Sequence, residues 1–285
     1  MLRSLVGSEM CIRDRSNYIT NLFSLEGKTA LIAGGAGAIG RDIARAFSKA
    51  GAFVIVHDLA QDRLDEVQAT FMAEGLVFNG MQADLSTAEG CAGLVVRAKE
   101  VTGKIDILVN LQGTNKRKPI TEVTQEDFDL ITSVNLRSVY FMSQEVHPIM
   151  KAQGGGRIIH FSSLSANISF DTISVYAATK AAVTSLTRSQ AHEWADDNIQ
   201  VNAIEPGFVQ TEFTRPLWDD DYRAEWFANY IPQARLAVPE DLVTTALYLA
   251  APATRYLTGQ NIVIDGGVLT GASWVDAQRR PGIKR

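Results

Sequence analysis

Short runs of β-branched and other apolar residues alternate with longer amphipathic stretches along this chain from Lys28 onward. The stretches repeat apolar residues at helical spacing, as at Ile39, Ile43 and Phe47. Strands that alternate with helices return to the same end of a sheet each time, which makes the strands parallel. The chain is therefore predicted to be an α/β protein with a doubly wound, seven-stranded parallel sheet and helices on both faces. The predicted strands are residues 29–33, 53–58, 77–82, 105–111, 157–162, 199–204 and 261–264.

No repeat or linker divides residues 16–285, so we expect a single Rossmann-like domain there. Residues 1–15, MLRSLVGSEMCIRDR, fit neither a signal peptide nor the pattern that follows. The part LVGSEMCIRD back-translates to a transposase adapter used in sequencing libraries. We predict an artefact of gene calling in residues 1–15, and a disordered natural extension is the alternative.

Composition narrows the classes of partner. The chain has 27 Lys plus Arg against 32 Asp plus Glu, a net charge of −5, which argues against nucleic acid. No apolar stretch approaches the roughly 20 residues that cross a bilayer. The two cysteines, Cys11 and Cys91, show no metal-ligand spacing and favour a reducing compartment. We expect a cytoplasmic protein without a metal or a membrane partner.

One segment interrupts the alternation between the sixth strand and the helix near Pro239. Residues 211–232 are rich in large aromatic side chains and follow the carboxyl end of a strand, where open α/β sheets bind ligands. The segment is therefore predicted to be a substrate lid, with a helix pair that only packs on the core as the alternative. Its aromatic residues are Phe213, Trp218, Tyr222, Trp226, Phe227 and Tyr230.

A glycine-rich turn, residues 33–40, follows the first strand and opens a helix. Small residues such as Gly34, Gly37 and Gly40 let the backbone approach a pyrophosphate, which free N–H groups and the helix dipole stabilise. Asp58 ends the second strand, where its carboxylate can accept hydrogen bonds from two ribose hydroxyls and repel a 2′-phosphate. This pattern predicts a dinucleotide site with NAD as the cofactor.

Tyr176 and Lys180 stand four residues apart in YAATK, on one face of a predicted helix, and Ser163 lies just past the fifth strand. A tyrosine has a pKa of about 10, and lowering it by about 3 units requires roughly 4 kcal/mol of phenolate stabilisation. The Lys180 ammonium and a positively charged nicotinamide are expected to supply it. The three residues thus predict acid–base chemistry on an alcohol.

With these motifs in this order, the chain resembles the short-chain dehydrogenase/reductase family over residues 23–271. The resemblance implies a catalytic tetrad of Asn135, Ser163, Tyr176 and Lys180. In that family Tyr is the acid and base, Ser holds the substrate oxygen, Lys lowers the Tyr pKa and binds the nicotinamide ribose, and Asn supports a water relay. The cofactor contacts that it implies are Gly34, Gly37, Ile39, Gly40, Asp58, Asp84, Leu85, Asn110, Gly113, Tyr176, Lys180, Pro206, Gly207, Val209 and Thr211.

The chain departs from the family pattern at four places. Ala33 and Ala38 replace a Thr and a Gly of the turn, so we expect weaker or shifted pyrophosphate contacts. Gln112 puts an amide close to the nicotinamide and is expected to touch substrate. Glu205 precedes the Pro-Gly pair, either as a carboxylate of the pocket floor or as a hydrogen-bonding partner within the fold.

The substrate is expected to be a sugar acid or related polyol. Lys116 and Arg117 follow the fourth strand, where cations could hold a carboxylate, although a solvated basic loop is the alternative. Trp218 of the lid is a further candidate contact. Within the family the chain looks most like the gluconate 5-dehydrogenase and 2-deoxygluconate 3-dehydrogenase group.

Other functions remain open at this stage. They are an NAD-dependent dehydrogenase of a steroid, acetoin or another polyol, a 3-oxoacyl-carrier-protein reductase, and a non-catalytic NAD-sensing protein. We also expect a homotetramer or homodimer, because the long helices carry apolar residues that one sheet layer leaves open, namely Val139, Phe141, Val183 and Leu186.

Overall fold

A computed structural model describes residues 18–271 except 213, 216, 217 and 220. The predicted artefact at residues 1–15, including Cys11, and Phe213 of the predicted lid lie outside the described residues. Seven strands form one sheet in the order β3-β2-β1-β4-β5-β6-β7, and every neighbouring pair is parallel. The strands are β1 (Thr29–Ala33), β2 (Phe53–Asp58), β3 (Asn79–Gln82), β4 (Ile107–Asn110), β5 (Gly156–Phe161), β6 (Ile199–Pro206) and β7 (Asn261–Ile264).

Helices connect the strands and cover both faces of the sheet. The first, α1, has its described part at residues 18–23. The others are α2 (Ala38–Lys49), α3 (Gln61–Ala73), α4 (Ala88–Thr102), α5 (Gln125–Thr132), α6 (Ser138–Ala152), α7 (Ser174–Glu193), α8 (Asp221–Tyr230) and α9 (Glu240–Ala250). A π-helical turn, Ser133–Arg137, joins α5 to α6 without a break.

Local sequence explains where several of these elements begin. The Thr87 hydroxyl accepts a hydrogen bond from the Gly90 N–H at 3.1 Å and caps α4. Thr124 and Asp127 form a reciprocal capping box at the start of α5. The third strand begins at Asn79 and not at the predicted Val77. Val77 lies in the loop before β3 and is 66% exposed.

The predicted α/β architecture is confirmed, and its two apolar cores lie on opposite faces of the sheet. One contains Phe47 of α2 and Leu249 of α9, and the other contains Leu94 of α4 and Met142 of α6. Cys91 is completely buried in the second core, and burial raises the pKa of its thiol to about 12. Its thiol is therefore an inert part of the packing.

Two residues expected on an uncovered helix face are core residues instead. Val139 and Val183 are 2% and 0% exposed within the single chain. The expectation was wrong for these two because the sheet and the neighbouring helices already cover them. The exposed apolar side chains near α5 and α6 are Phe128, Leu130 and Tyr140.

No helix in the described part of the chain is both long enough and apolar enough to cross a membrane. Among the same residues, no group of three His, Cys, Asp or Glu side chains has an arrangement that could hold a metal ion.

The strand order reverses between β1 and β4, and this reversal positions the candidate site. The chain moves outward from β1 to β3, then returns to the other side of β1 and continues from β4 to β7. In open α/β sheets, ligands bind outside the carboxyl ends of the strands at such a point. The glycine-rich turn follows β1, and the segments with Gln112 and Ser163 follow β4 and β5.

Candidate active site

The glycine-rich turn is built by close backbone approaches that a side chain would prevent. Gly34 has a φ of +73°, and a Cβ there would lie 2.7 Å from the Gln112 backbone. A Cβ on Gly40 would lie 2.5 Å from Cα of Gly35. At Gly37, by contrast, a Cβ would meet only the Gly34 carbonyl, at 3.9 Å. The protein's own packing does not need glycine at position 37, and the open space there at the start of α2 fits an approaching pyrophosphate.

Asp58 stands at the last position of β2, next to this turn. It is 8% exposed, and its Oδ1 accepts a hydrogen bond from the Ala60 N–H at 3.2 Å. The neighbouring Leu59 is 62% exposed and carries no positive charge. These positions agree with a carboxylate at the edge of a ribose site.

The loop after β3 carries the next candidate cofactor residues. The Asp84 carboxylate is exposed and accepts the Ser86 N–H at 2.9 Å. The Leu85 side chain is 5% exposed and packs in the second core, so only its backbone faces outward. A Cβ on Gly90 of α4 would lie 1.8 Å from the Asp84 carbonyl oxygen, so the loop rests directly on the start of α4.

Ser163, Tyr176 and Lys180 converge at the carboxyl end of β5. Lys180 is 4% exposed, its Nζ donates to the Phe161 carbonyl at 2.7 Å, and Nζ lies 5.7 Å from the centroid of the Tyr176 ring. The Ser163 Oγ accepts hydrogen bonds from the Ser165 N–H and hydroxyl, at 3.2 and 2.9 Å. Sequence reasoning missed Phe161 and Ser165, because a carbonyl acceptor leaves no motif.

The electrostatics of Tyr176 differ from the expectation. Burial raises the pKa of the Tyr176 phenol, while a hydrogen bond to Ser163 and the positive charge of Arg117 lower it. Burial lowers the pKa of Lys180 to about 8. Arg117 is thus a cation that lowers the Tyr176 pKa and that the sequence did not indicate, and the role expected for Lys180 stays a prediction.

Asn135 lies in the π-helical turn between α5 and α6, and it is fully buried. Its side chain accepts the Thr114 N–H at 2.8 Å and donates to the Thr114 carbonyl at 2.9 Å. It also donates to the Thr179 hydroxyl at 3.2 Å. A Cβ on Gly113 would lie 3.7 Å from both the Asn135 Oδ1 and the Lys180 Nζ, so Gly113 faces the candidate catalytic groups.

The side chain of Gln112 is turned into the protein. It is 7% exposed, and its Nε2 donates to the Asn110 Oδ1 at 3.2 Å and to the Ser138 hydroxyl at 3.0 Å. Asn110 in turn contacts His160, which hydrogen-bonds to Gln190 at 2.8 Å. Buried polar partners hold the amide nitrogen, whereas the Gln112 Oε1 has no hydrogen-bond partner among the described residues, so the substrate contact expected for Gln112 stays a prediction. His160 is a packed strand residue, and burial lowers its pKa to about 4.

Glu205 is a hydrogen-bonding partner within the fold. Its carboxylate is 2% exposed and accepts from the Asn167 amide and the Thr184 hydroxyl, both at 2.7 Å. Asn167 lies four residues after Ser163, and Thr184 lies one turn after Lys180 on α7. Glu205 therefore joins the Ser163 loop to the helix that carries Tyr176 and Lys180.

The three cations after β4 have different surroundings. The Lys118 ammonium pairs with Asp127 of the α5 capping box, and the Lys118 N–H donates to the Thr172 carbonyl at 3.0 Å. Lys116 and Arg117 are exposed. Although the Arg117 side chain is largely exposed, partial desolvation of its guanidinium lowers its pKa, as does the charge of Arg223 on α8, while Tyr176 raises it. Lys118 thus fixes the loop, and Arg117 faces the candidate catalytic tyrosine.

The predicted lid packs on the Ser163 loop. Phe227 and Ile231 form a small apolar cluster with Leu164, the residue after Ser163. Trp226 stacks on Tyr230 with ring centroids 4.5 Å apart. Both rings are about two-fifths exposed, so they present an aromatic surface beside the cluster.

Trp218 of the lid lies between a surface cavity and the apolar cluster beside Ser163. Its indole N–H donates to the Thr214 hydroxyl at 3.3 Å, and its ring lines a cavity of about 460 Å³ together with Ala38, Thr211 and Pro239. This cavity lies between the lid and the start of α2, and Ser163 and Tyr176 are not among its lining residues. Trp218 also packs against the cluster that contains Leu164, the residue after Ser163, so the substrate contact expected for Trp218 stays a prediction.

The segment after β6 carries the last candidate cofactor residues. A Cβ on Gly207 would lie 2.6 Å from Cα of Asp265, so the close approach of the segment after β7 requires glycine there. Val209 is 5% exposed and pairs with Ala237 in an isolated bridge. Pro206 ends β6, and Thr211 hydrogen-bonds to Thr214 at the start of the lid.

Comparisons with known proteins agree with this geometry. A family model described as enoyl-(acyl carrier protein) reductase matches residues 34–269. A tropinone reductase homolog from Arabidopsis thaliana is 37% identical over 86% of this chain and 93% of its own. The 2-dehydro-3-deoxy-D-gluconate 5-dehydrogenase of Dickeya dadantii is 37% identical over 88% of this chain and 99% of its own.

Among solved structures, a gluconate 5-dehydrogenase from Burkholderia cenocepacia in complex with NADP and tartrate superposes with a TM-score of 0.85. It is 31% identical, and the match covers 89% of this chain and all of that one.

Proposed function

Because the chain belongs to the short-chain dehydrogenase/reductase family, we propose that it is an NAD-dependent oxidoreductase that interconverts a secondary alcohol and a ketone on a sugar acid or related polyol. The observation that carries this proposal is the convergence of Ser163, Tyr176 and Lys180 beside the carboxyl end of β5. A nicotinamide dinucleotide, when bound, supplies the hydride acceptor or donor.

The residues of the chain transfer the proton and orient the alcohol. In the oxidative direction Tyr176 takes the hydroxyl proton, and the Ser163 hydroxyl holds the same oxygen. Burial opposes phenolate formation on Tyr176, so positive charge nearby is needed to lower its pKa. Arg117 contributes this charge, and Lys180, with its Nζ 5.7 Å from the ring centroid, holds the nicotinamide ribose. Asn135 and Gly113 form the adjoining wall.

The preference for NAD rests on Asp58. A carboxylate at the end of β2 accepts two ribose hydroxyls and repels a phosphate at the same place, and the neighbouring Leu59 supplies no compensating cation. The similar Burkholderia enzyme was crystallised with NADP, so the cofactor is a point on which relatives differ from this proposal. Wild-type turnover with NADP equal to or above that with NAD would contradict the proposed NAD preference. Asp58→Ala should reduce the ratio of activity with NAD to activity with NADP.

The substrate carboxylate is assigned to Arg117, with Lys116 as its neighbour in the loop. Arg117 is close enough to Tyr176 for each to shift the pKa of the other, so an acid held by its guanidinium would lie beside the reacting oxygen. Arg can grip a carboxylate in a bidentate manner, which would also orient the substrate. The lid, residues 211–232, would close over it.

The aromatic surface of the lid favours a second candidate, the oxidation of a bulky apolar alcohol such as a hydroxysteroid. Trp226 and Tyr230 offer a flat stacked pair that suits a ring system. Arg117 would have no anionic partner in a neutral steroid, and for this reason the acid remains the first candidate.

The experiment is a screen of NADH absorbance over sugar acids, neutral polyols, short diols and hydroxysteroids, with NAD and NADP. Arg117→Ala should raise the KM for an acid about 10- to 150-fold, which corresponds to about 1.5–3 kcal/mol, and leave the KM for neutral polyols unchanged. A loss of kcat through the Tyr176 pKa should affect acidic and neutral substrates alike. Lys116→Ala is the matched control and should have the smaller effect. Equal changes in KM for acidic and neutral substrates would show that the loop is merely solvated. Activity on hydroxysteroids alone would replace the proposed substrate class.

The assembly and location belong to the same proposal. The exposed Phe128, Leu130 and Tyr140 near α5 and α6 support a homotetramer or homodimer. The proposed cytoplasmic location rests on the low cysteine content of the sequence. A monomeric mass by light scattering at micromolar concentration would contradict the assembly.

A further inference from the structure

His57 is a buried histidine with hydrogen bonds to two loops of the dinucleotide site. It occupies the position before Asp58 on β2 and is 3% exposed. Its Nδ1 accepts the Gly34 N–H at 3.2 Å, and its Nε2 lies 3.0 Å from the Ala83 carbonyl oxygen. Its own carbonyl accepts the Gly35 N–H at 2.8 Å. One residue thus contacts the glycine-rich turn on one side and the residue before Asp84 on the other.

These contacts join the carboxyl ends of three strands. Gly34 follows β1, His57 lies on β2, and Ala83 follows β3. We propose that His57 is a positioning residue that sets the distance between the glycine-rich turn and the Asp84 loop, and hence the affinity for the adenosine half of the dinucleotide. The proposal rests on the dinucleotide site proposed above, and it does not depend on the substrate or on NAD over NADP.

The hydrogen bonds specify one form of the ring. An Nδ1 that accepts the Gly34 N–H carries no proton, so the proton of the neutral ring is on Nε2 and points to the Ala83 carbonyl. Burial lowers the pKa of His57, which favours the neutral ring. The hydrogen bond to Ala83 and the negative charges of Asp58 and Asp84 raise the His57 pKa. The positive charge of Arg97 lowers it, as burial does.

A histidine can join the two loops because its two ring nitrogens face different partners. Asn in its place has its terminal amide near the position of Nδ1, so its oxygen can accept the Gly34 N–H. Gln has a terminal group near the position of Nε2 and can serve Ala83. His57→Leu removes both bonds at similar volume, so the three variants separate the two contacts.

The chain offers a matched control in Asn202 of β6. This residue is 2% exposed, donates to the Leu257 carbonyl at 2.8 Å and accepts the Gln260 N–H at 3.0 Å. It therefore makes one backbone bond of each kind from a buried strand position, as His57 does, but between elements outside the candidate dinucleotide site. Asn202→Leu measures the structural effect of losing such a pair.

The experiment measures the Kd of NADH and NADPH by fluorescence, the Tm without ligand, and the split between cofactor KM and kcat. We expect both His57→Leu and Asn202→Leu to lower Tm. Only His57→Leu should raise the Kd of whichever of NADH and NADPH binds more tightly, by at least about fivefold. The cofactor KM should rise in proportion, with kcat at saturation kept within about twofold. His57→Asn should recover more affinity than His57→Gln, because it keeps the bond to the turn.

Two results would overturn the proposal. One is a Kd for His57→Leu within about twofold of wild type despite a lowered Tm, which would make His57 structural only. The other is a ring proton on Nδ1 in the cofactor-free protein, read from 15N shifts of the imidazole. If His57→Leu does not fold, equal Kd values for the Asn and Gln variants decide against it. Failure of the wild type to bind either dinucleotide would contradict the site itself, a separate outcome.

Discussion

Two glycines of α4 give a paired test of how the Asp84 loop is held. A Cβ on Gly90 would lie 1.8 Å from the Asp84 carbonyl oxygen and 3.1 Å from the Thr87 hydroxyl. A Cβ on Gly93, one turn later, would meet nothing within 4 Å. The substitutions Gly90→Ala and Gly93→Ala therefore add the same methyl group to one helix, against a loop in one case and in open space in the other.

The expected magnitudes follow from these distances. Replacing Gly by Ala inside a helix stabilises it by up to about 1 kcal/mol, so Gly93→Ala should raise the free energy of unfolding by that amount. At Gly90 the Asp84 carbonyl must retreat from 1.8 Å to at least 3.0 Å, and its neighbours in the loop must move with it. Overpacking of this kind costs about 1–3 kcal/mol, so Gly90→Ala should be less stable than Gly93→Ala by about that difference.

Urea unfolding and NADH titration measure the two consequences. Gly93→Ala should unfold at a higher urea concentration than wild type and bind NADH unchanged. Gly90→Ala should unfold at a lower concentration than Gly93→Ala and bind NADH more weakly, because the displaced Asp84 no longer meets the adenine. Equal stabilisation by the two substitutions would show that the loop yields freely, and the reasoning would then be wrong.

Three further predictions concern the candidate catalytic groups. Tyr176→Phe should lower kcat at least about 100-fold, the scale of one acid–base group, while NADH still binds in a fluorescence titration. Since burial lowers the pKa of Lys180 from 10.5 to about 8, the cofactor-free Lys180→Met protein should be more stable than wild type at pH 7 by up to about 3 kcal/mol. That gap should close as pH rises from 8 to 10.5, where folded Lys180 is neutral but the unfolded chain still holds the proton, and a pH-independent gap in urea unfolding would contradict the assignment. Glu205→Ala should lower the free energy of unfolding by about 1–3 kcal/mol, because it leaves the half-buried Thr184 hydroxyl without its acceptor, whereas water can replace the acceptor of the exposed Asn167 amide. Glu205→Gln should lose about half of that, and equal losses in urea unfolding would point to charge and not to hydrogen bonding.

The periodic signals of the sequence were sufficient for the architecture. Strands such as β1 and β2 lie at their predicted residues, because each contains a run of four apolar residues and is bounded by turn residues. The four-residue spacing of Tyr176 and Lys180 put both on one face of α7, and the structure has the Lys180 Nζ 5.7 Å from the Tyr176 ring. Local spacing along a helix or strand depends only on the backbone geometry, so it can be read from the sequence.

Contacts between distant segments could not be derived in this way. Gln112 was expected to contact substrate, and the sequence did not show that partners on β4 and α6 hold its amide nitrogen. The role of Glu205 stayed open because its donors, Asn167 and Thr184, come from two other elements. Val139 was expected on an open face, although the fold buries it. In each case the partner is chosen by tertiary packing, for which one sequence contains no periodic signal.

The π-helical turn at Ser133–Arg137 already accommodates one residue more than an α-helix of the same rotation, because its hydrogen bonds span five residues and not four. One residue corresponds to about 100° of α-helical rotation. A second inserted residue would have no such wide turn to absorb it, so it would turn α6 by about that angle relative to α5. Ser138, Ser143 and Val146, all completely buried now, would leave the sheet if Asn135 kept its place, and Asn135 would leave Thr114 if they kept theirs. Point substitutions can change the chemistry on either side of this turn, but a further insertion next to it separates Asn135 from the core that supports it.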